Sequence, residues 1–302
     1  MPLHPTGDLI TAARTERRAL AAFNVITVEH AEAIVSAAET AQSPVILQIS
    51  ENAVKFHHGR LAPIARASAA VAEAAGVEVA LHLDHVEDPA LLRQAADHGF
   101  GSAMFDGSHL PYAENVQATR DAADWAHAHG LWLEAELGKV GGKDGEPPLS
   151  AHAPGARTDP DEAREFLAAT GVDALAVAVG SSHAMTDRSA VLDHDLIARL
   201  RDAVGVPLVL HGSSGVPDDE LARAVAGGLV KVNIGTALNI AFTGAVREWL
   251  EQAPANAVDP RKYLTLAREE MAKTAAHFIS LLAPNALPSN GVSPNGVSPN
   301  AD

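Results

Sequence analysis

The chain has no cysteine among its 302 residues. Disulfides and thiolate metal ligands are therefore excluded, whereas a metal site of imidazoles and carboxylates is not. Aromatic residues are scarce at 4%, and positive charge is short: 22 Lys and Arg face 38 Asp and Glu, a formal net charge of −16. A chain of that sign repels nucleic acid and anionic membrane surfaces, so neither is an expected partner. It repels phosphorylated molecules too, so a phosphate site would need local donors or a metal. No apolar run approaches the ~18 residues of a membrane span, and the opening MPLHPTGDLITAARTERRAL lacks a signal-peptide pattern. With the missing thiols, this gives the expectation of a cytoplasmic protein.

Apolar residues are abundant at 47%, enough for a sizeable core. Strand-like runs alternate with helical spacing: AAFNV, VILQIS, VALHLD, SAMFD, LWLEAEL, ALAVAVG, PLVLHG and VKVNIG. Between them lie stretches such as EHAEAIVSAAETAQ and LPYAENVQATRDAADWAHAHG. Thr158, Asp159 and Pro160 open one helix, with Asp at the N-cap and Pro at its first position. Eight β–α units without an all-helical or all-strand block predict an α/β fold, a (β/α)8 TIM barrel, with a doubly wound open sheet as the alternative. The barrel is expected over residues 1–283 as a single domain with a C-terminal helix. The Ser-Pro-Asn-Gly-Val repeats of 284–302 cannot bury enough apolar surface to order themselves and are expected to be disordered. Residues 138–160, GKVGGKDGEPPLSAHAPGARTDP, form a long Gly/Pro-rich loop of the kind that is functional or mobile.

A barrel demands that functional groups gather at the C-terminal strand ends. Asn24, Ser50, Asp84, His85, Asp106, Glu136, His183, His211 and Asn233 all fall at or just after such ends. His85, His183 and His211 offer three nitrogens, the donor set of a catalytic zinc with an open position. Any one of them alone could equally be a surface or core histidine. His57, His58, His127, His129, His152 and His194 fall in helices or loops and are set aside. Asp84, beside His85, could move a proton to or from a substrate hydroxyl, or merely cap the next helix. Asp106 and Glu136 could hold a second or alternative metal position, or bond within the barrel mouth. The turns HGSSGVP, from His211, and NIGT, from Asn233, suit a phosphate bound by backbone N–H groups, with Ser213, Ser214 and Thr236 adding hydroxyls.

Longer motifs carry a resemblance: AFNV, LHLDH, GFGSAMFDGSHLPYAENV, EAELGKVGG, TGVDALAVAVGSSH, LVLHGSSGVPDDEL, KVNIGT and DPRKYL. Over about residues 8 to 282 the chain resembles the class II, zinc-dependent fructose-bisphosphate aldolases, including the tagatose-bisphosphate branch. The resemblance implies a lyase that cleaves a ketose bisphosphate to dihydroxyacetone phosphate and an aldehyde through a metal-stabilised enediolate. By the same resemblance, His85, His183 and His211 would bind one catalytic Zn2+, and Asp84 would exchange the C4 hydroxyl proton. Asp106 and Glu136 match acids that hold a displaced or second metal. Gly212, Ser214, Asn233 and Thr236 would contact the ketose end and its phosphate, and Asn24 would help position it. Ser50 matches a contact to the distal phosphate. Arg261 matches an arginine reaching a neighbouring subunit's site, which implies a homodimer or homotetramer. A monovalent cation beside the phosphate is also within the family's repertoire.

In the long loop, Asp144 or Glu146 is expected to move the proton at the dihydroxyacetone phosphate carbon. The family's lysine after the second histidine is absent, and Arg188 either replaces it or nothing does. Gly235 stands where fructose enzymes often carry Asp and tagatose enzymes Ala, so the sugar's stereochemistry stays open. Lys231 offers a Schiff-base alternative, which the three histidines oppose. Two other classes compete with the aldolase: a metal-dependent barrel hydrolase, and a non-catalytic sugar-phosphate-binding relative.

Overall fold

A computed structural model of the chain describes residues 3–138, 140 and 156–283. Asp144, Glu146 and the repeat tail over 284–302 lie outside the described residues. Eight parallel strands close into a barrel in sequence order, which rules out the open doubly wound sheet. They are β1 (Leu20–Asn24), β2 (Val45–Ser50), β3 (Val79–Val86), β4 (Ser102–Phe105), β5 (Trp132–Leu137), β6 (Ala174–Val177), β7 (Leu208–Leu210) and β8 (Leu229–Ile234). β1 pairs with β8, for example Ala22 with Asn233, to complete the ring.

The helices are α1 (Thr6–Thr15), α2 (Val28–Ala41), α3 (Glu51–Phe56), α4 (Leu61–Ala74), α5 (Pro89–Leu92), α6 (Tyr112–Ala128), α7 (Pro160–Thr170), α8 (His194–Ala203), α9 (Asp218–Gly227), α10 (Thr236–Gln252) and α11 (Pro260–Leu282). Asp159 caps α7 by accepting from the N–H groups of Asp161 and Glu162, with Pro160 in the first turn, as the sequence predicts. None of the helices in the described residues is long and apolar enough to cross a membrane.

The two-residue period of the strands sorts their side chains into two layers. Phe23, Leu47, Leu81 and Leu83 belong to the large cluster that packs the outer faces of the strands on the helices. Leu20, Ala22, Ile46 and Ala80 belong instead to a separate cluster with Leu9, Ile10 and Ala13 of α1, which closes the N-terminal end of the barrel. Further along the same register come Gln48, His82, Ser102, Glu134 and Lys231, each fully buried. A barrel interior is ordinarily filled by branched aliphatic side chains. Here its middle layer is polar, and unpaired polar groups at such depth are costly.

Pairing meets part of that cost. Gln48 Nε2 donates to Asn24 Oδ1, His82 Nδ1 lies 2.7 Å from Ser102 Oγ, and Ser102 donates to Thr6 Oγ1 of α1 at 2.7 Å. Lys231 Nζ donates to Glu134 Oε2 at 2.8 Å.

Candidate active site

β3, beside β4, carries the first two groups by breaking the strand alternation. Their register shifts between Leu83 and Val86, and His85 adopts the left-handed region at φ 49°. Adjacent residues of a regular strand point to opposite faces. The irregularity lets Asp84 and His85 both line one cavity at the C-terminal mouth. The helix after β3 is capped by Asp88, whose Oδ1 accepts from the Ala90 N–H at 2.8 Å. Asp84 is therefore not the cap that an acid at this place could have been.

The cavity has a volume of about 710 Å³. Asn24, Ser50, Asp84, His85, Asp106, Glu136, His183, Gly212, Ser214, Asn233 and Thr236 line it. His211 is fully buried and joins His85, Glu136 and His183 in a cluster whose ligand atoms all lie within 4.8 Å of one another. Arg261 is not among the lining residues. It sits 87% exposed in the first turn of α11, paired with Asp259 at 2.7 Å. Arg188 is turned elsewhere as well, donating to the Val216 carbonyl, pairing with Asp218 and lying over the Phe278 ring.

Hydrogen bonds at the back of two imidazoles decide what their fronts present. His85 Nδ1 lies 2.8 Å from Asp106 Oδ2, and His211 Nε2 lies 2.8 Å from Glu134 Oε1. A carboxylate only accepts, so each of those nitrogens carries the proton. The opposite nitrogens, His85 Nε2 and His211 Nδ1, then present lone pairs to each other across 3.1 Å. Two ring nitrogens so disposed can both be ligands of one ion. Tetrahedral zinc ligands with Zn–N bonds near 2.05 Å stand about 3.3 Å apart, so the gap suits a metal ion. Glu136 Oε2 stands 3.5 Å from His211 Nδ1, and the His183 ring meets that of His85 edge-on at 5.0 Å. Asp106 is thus behind a ring while Glu136 is among the clustered ligand atoms. Asp106 is itself fixed by Ser108, whose hydroxyl donates to Oδ1 at 2.6 Å.

Burial would raise the Asp84 carboxyl, but His85, His82, His211 and Lys231 around it outweigh that and hold it far below the usual carboxylate range. Asn233 Nδ2 donates to Asp84 Oδ1 at 3.3 Å. Burial lowers His82, and Lys231 lowers it further, so its ring is neutral.

Opposite lie the two turns. Gly212 takes φ 65°, and a Cβ there would stand 2.6 Å from the Ser182 carbonyl carbon, so only glycine allows the chain beside His183 to approach. Ser214 Oγ accepts from the Ala237 N–H at 3.1 Å, tying this turn to the start of α10. Gly235, Thr236 and Asn239 present that 17-residue helix's N-terminal turn to the cavity, an end that favours anions.

Four of the histidines set aside are occupied elsewhere. His57 bonds the Ile26 carbonyl, His127 pairs with Asp173, His129 stacks on Trp125 and His194 pairs with Glu220. His152 lies outside the described residues. Sequence reasoning missed Glu134. Its motif, EAEL, placed it two residues before Glu136, and the strand period puts both on the inner face.

A mouth of this kind defines a barrel enzyme able to hold a metal ion beside a carboxylate and an anion-binding helix end. Comparison narrows the class. The family described as Fructose-bisphosphate aldolase class-II matches residues 4–285. The YdjI aldolase from Escherichia coli K12 is 32% identical, with 95% of this chain and 99% of that one covered at a TM-score of 0.79. The fructose-bisphosphate aldolase (Fba) from Campylobacter jejuni is 25% identical, with 91% and 93% covered at a TM-score of 0.75. The chain belongs to the class II fructose-bisphosphate aldolase family and is a carbon–carbon lyase.

Proposed function

We propose that the protein is a zinc-dependent aldolase that reversibly cleaves fructose 1,6-bisphosphate, or a stereoisomer such as tagatose 1,6-bisphosphate, to dihydroxyacetone phosphate and an aldehyde. The carrying observation is the 3.1 Å approach of His85 Nε2 to His211 Nδ1, with the other nitrogen of each ring against a carboxylate and with His183 and Glu136 in the same cluster. His85, His183 and His211 would hold the zinc. Glu136 and Asp106 would serve a displaced or second metal position. When bound, the ion supplies Lewis-acid polarisation of the ketose C2 carbonyl.

Asp84 accepts the proton of the C4 hydroxyl as the C3–C4 bond breaks, and the bonding pair moves toward the C2 carbonyl. Asp84 stands in the carboxylate form that can take up a proton, and Asn233 aims it. C3 is then protonated by Asp144 or Glu146 of the long loop. Gly212, Ser214 and Thr236 hold the 1-phosphate through N–H and hydroxyl donors, which fixes the reacting carbons and turns binding energy into alignment. Asn24, held by Gln48, positions the ketose. Ser50 meets the distal phosphate, together with Arg261 of a second copy in a homodimer or homotetramer, and a monovalent cation would fit beside the 1-phosphate. The buried pairing of Lys231 with Glu134 argues against a Schiff base.

The test is release of dihydroxyacetone phosphate from the two sugars, with and without chelator. Cleavage of at least one sugar, abolished by chelation, is expected. Failure of both sugars with zinc bound would reject these substrates.

A further inference from the structure

Lys231 and Glu134 are both fully buried and form an ion pair at 2.8 Å inside the barrel. Neither lines the cavity, and the aldolase chemistry above uses neither. An ion pair at this depth is a poor stabiliser, because two desolvated charges cost more than packed aliphatic side chains of the same volume. Its place must be explained by what it does to a neighbour. The second oxygen of Glu134 supplies the answer: Oε1 lies 2.8 Å from His211 Nε2, while Oε2 takes the Lys231 ammonium.

We propose that Glu134, braced by Lys231, is a positioning residue for the metal: it locks His211 as the Nε2–H tautomer and so dedicates Nδ1 to ligation. Without it, the carboxylate on β5 that opposes the other tautomer is gone. Asn233 Nδ2 stands 3.1 Å from the same His211 nitrogen. An amide N–H there would favour a bare Nε2, the wrong form for ligation through Nδ1. The carboxylate overrides it because a charged acceptor at 2.8 Å outweighs a neutral donor at 3.1 Å. Lys231 holds the carboxylate in place at its far oxygen. The lysine is thereby retained as a brace rather than as a nucleophile. A histidine ligand whose other nitrogen is held by a carboxylate is a recurring way of raising its affinity for metal. This inference rests on the reading of His85, His183 and His211 as ligands.

The experiment is zinc competition against a calibrated chelator, for the wild type, Glu134→Gln and the neutral double variant Glu134→Gln/Lys231→Met. The double variant removes both buried charges and is chosen to keep the barrel folded, checked by circular dichroism and thermal unfolding. Both variants should bind zinc about 10- to 100-fold more weakly, and the visible spectrum of the cobalt-loaded double variant should differ from wild type. Wild-type affinity in a folded variant overturns the proposal. Nitrogen-15 spectra of wild-type histidines test it without any variant: His211 should carry its proton on Nε2 and bind zinc through Nδ1, and ligation through Nε2 overturns it. If the wild type itself binds no zinc, the failure belongs to the aldolase reading and not to Glu134.

Discussion

His211 Nδ1 lies 3.1 Å from His85 Nε2, and the carboxylates of Glu134 and Asp106 hold the protons of both rings on their far sides. Two residues 126 apart in sequence thus meet nitrogen to nitrogen. The strand order of the barrel makes this meeting possible, since β3 and β7 both end at the same mouth.

Asp84 is fully buried, lines the cavity and caps no helix. Asp84→Asn should lower kcat by about 10²- to 10⁴-fold, the usual worth of a positioned proton carrier, while zinc content stays at the wild-type level. Steady-state kinetics beside metal analysis checks this. A structural role alone would instead appear as reduced stability with kcat preserved.

Gly235 faces Asn24. A Cβ on it would stand 3.1 Å from Asn24 Cγ and 3.2 Å from Oδ1, and Asn24 is itself held by Gln48. Gly235→Ala should therefore displace Asn24 by a few tenths of an ångström, costing less than about 10²-fold in kcat/KM. The ratio of kcat/KM for the fructose and tagatose bisphosphates should change. An unchanged ratio would show that the contact does not reach the sugar.

Much of this was legible in the sequence. The eight strands follow from apolar runs bounded by helical spacing, and the site from polar residues at their ends. Asp84 and His85 were visible as neighbours, but a regular strand would have sent them to opposite faces. Only the left-handed backbone at His85 and the shifted register resolve that conflict, and no local pattern in LDHV announces either. Glu134, and its pairing with Lys231, were hidden for a different reason: Glu134 looks like an ordinary charged residue until the barrel closes and brings β5 and β8 side chains together. Of the two readings for the family's missing lysine, Arg188 in its place or nothing, the sequence could not choose, because the partners of Arg188, Val216, Asp218 and Phe278, come from later in the chain.

Glu51, at the start of α3, offers a pH test away from the metal cluster. Burial raises its carboxyl, but hydrogen bonds from Lys55 and from the N–H groups of Glu87 and Asp88 outweigh this and leave it below its ordinary 4.5. A group depressed in the folded state stabilises above its unfolded pKa and loses that contribution as the pH falls through its folded value. Glu51→Gln should therefore lower Tm at neutral pH, and the gap from wild type should close as the pH drops below 4.5. Thermal unfolding of both proteins across that range decides it. A gap that persists unchanged in acid would assign the effect to shape rather than charge.

The central claim is that a metal held by His85, His183 and His211 carries the cleavage. The most direct measurement is zinc titration of the metal-stripped protein while dihydroxyacetone phosphate release is followed, with borohydride added to parallel samples. The account predicts no release without metal, recovery that saturates at one zinc per chain, and no reduced adduct on Lys231. Release from the metal-free protein, or substrate trapped on Lys231, would contradict it.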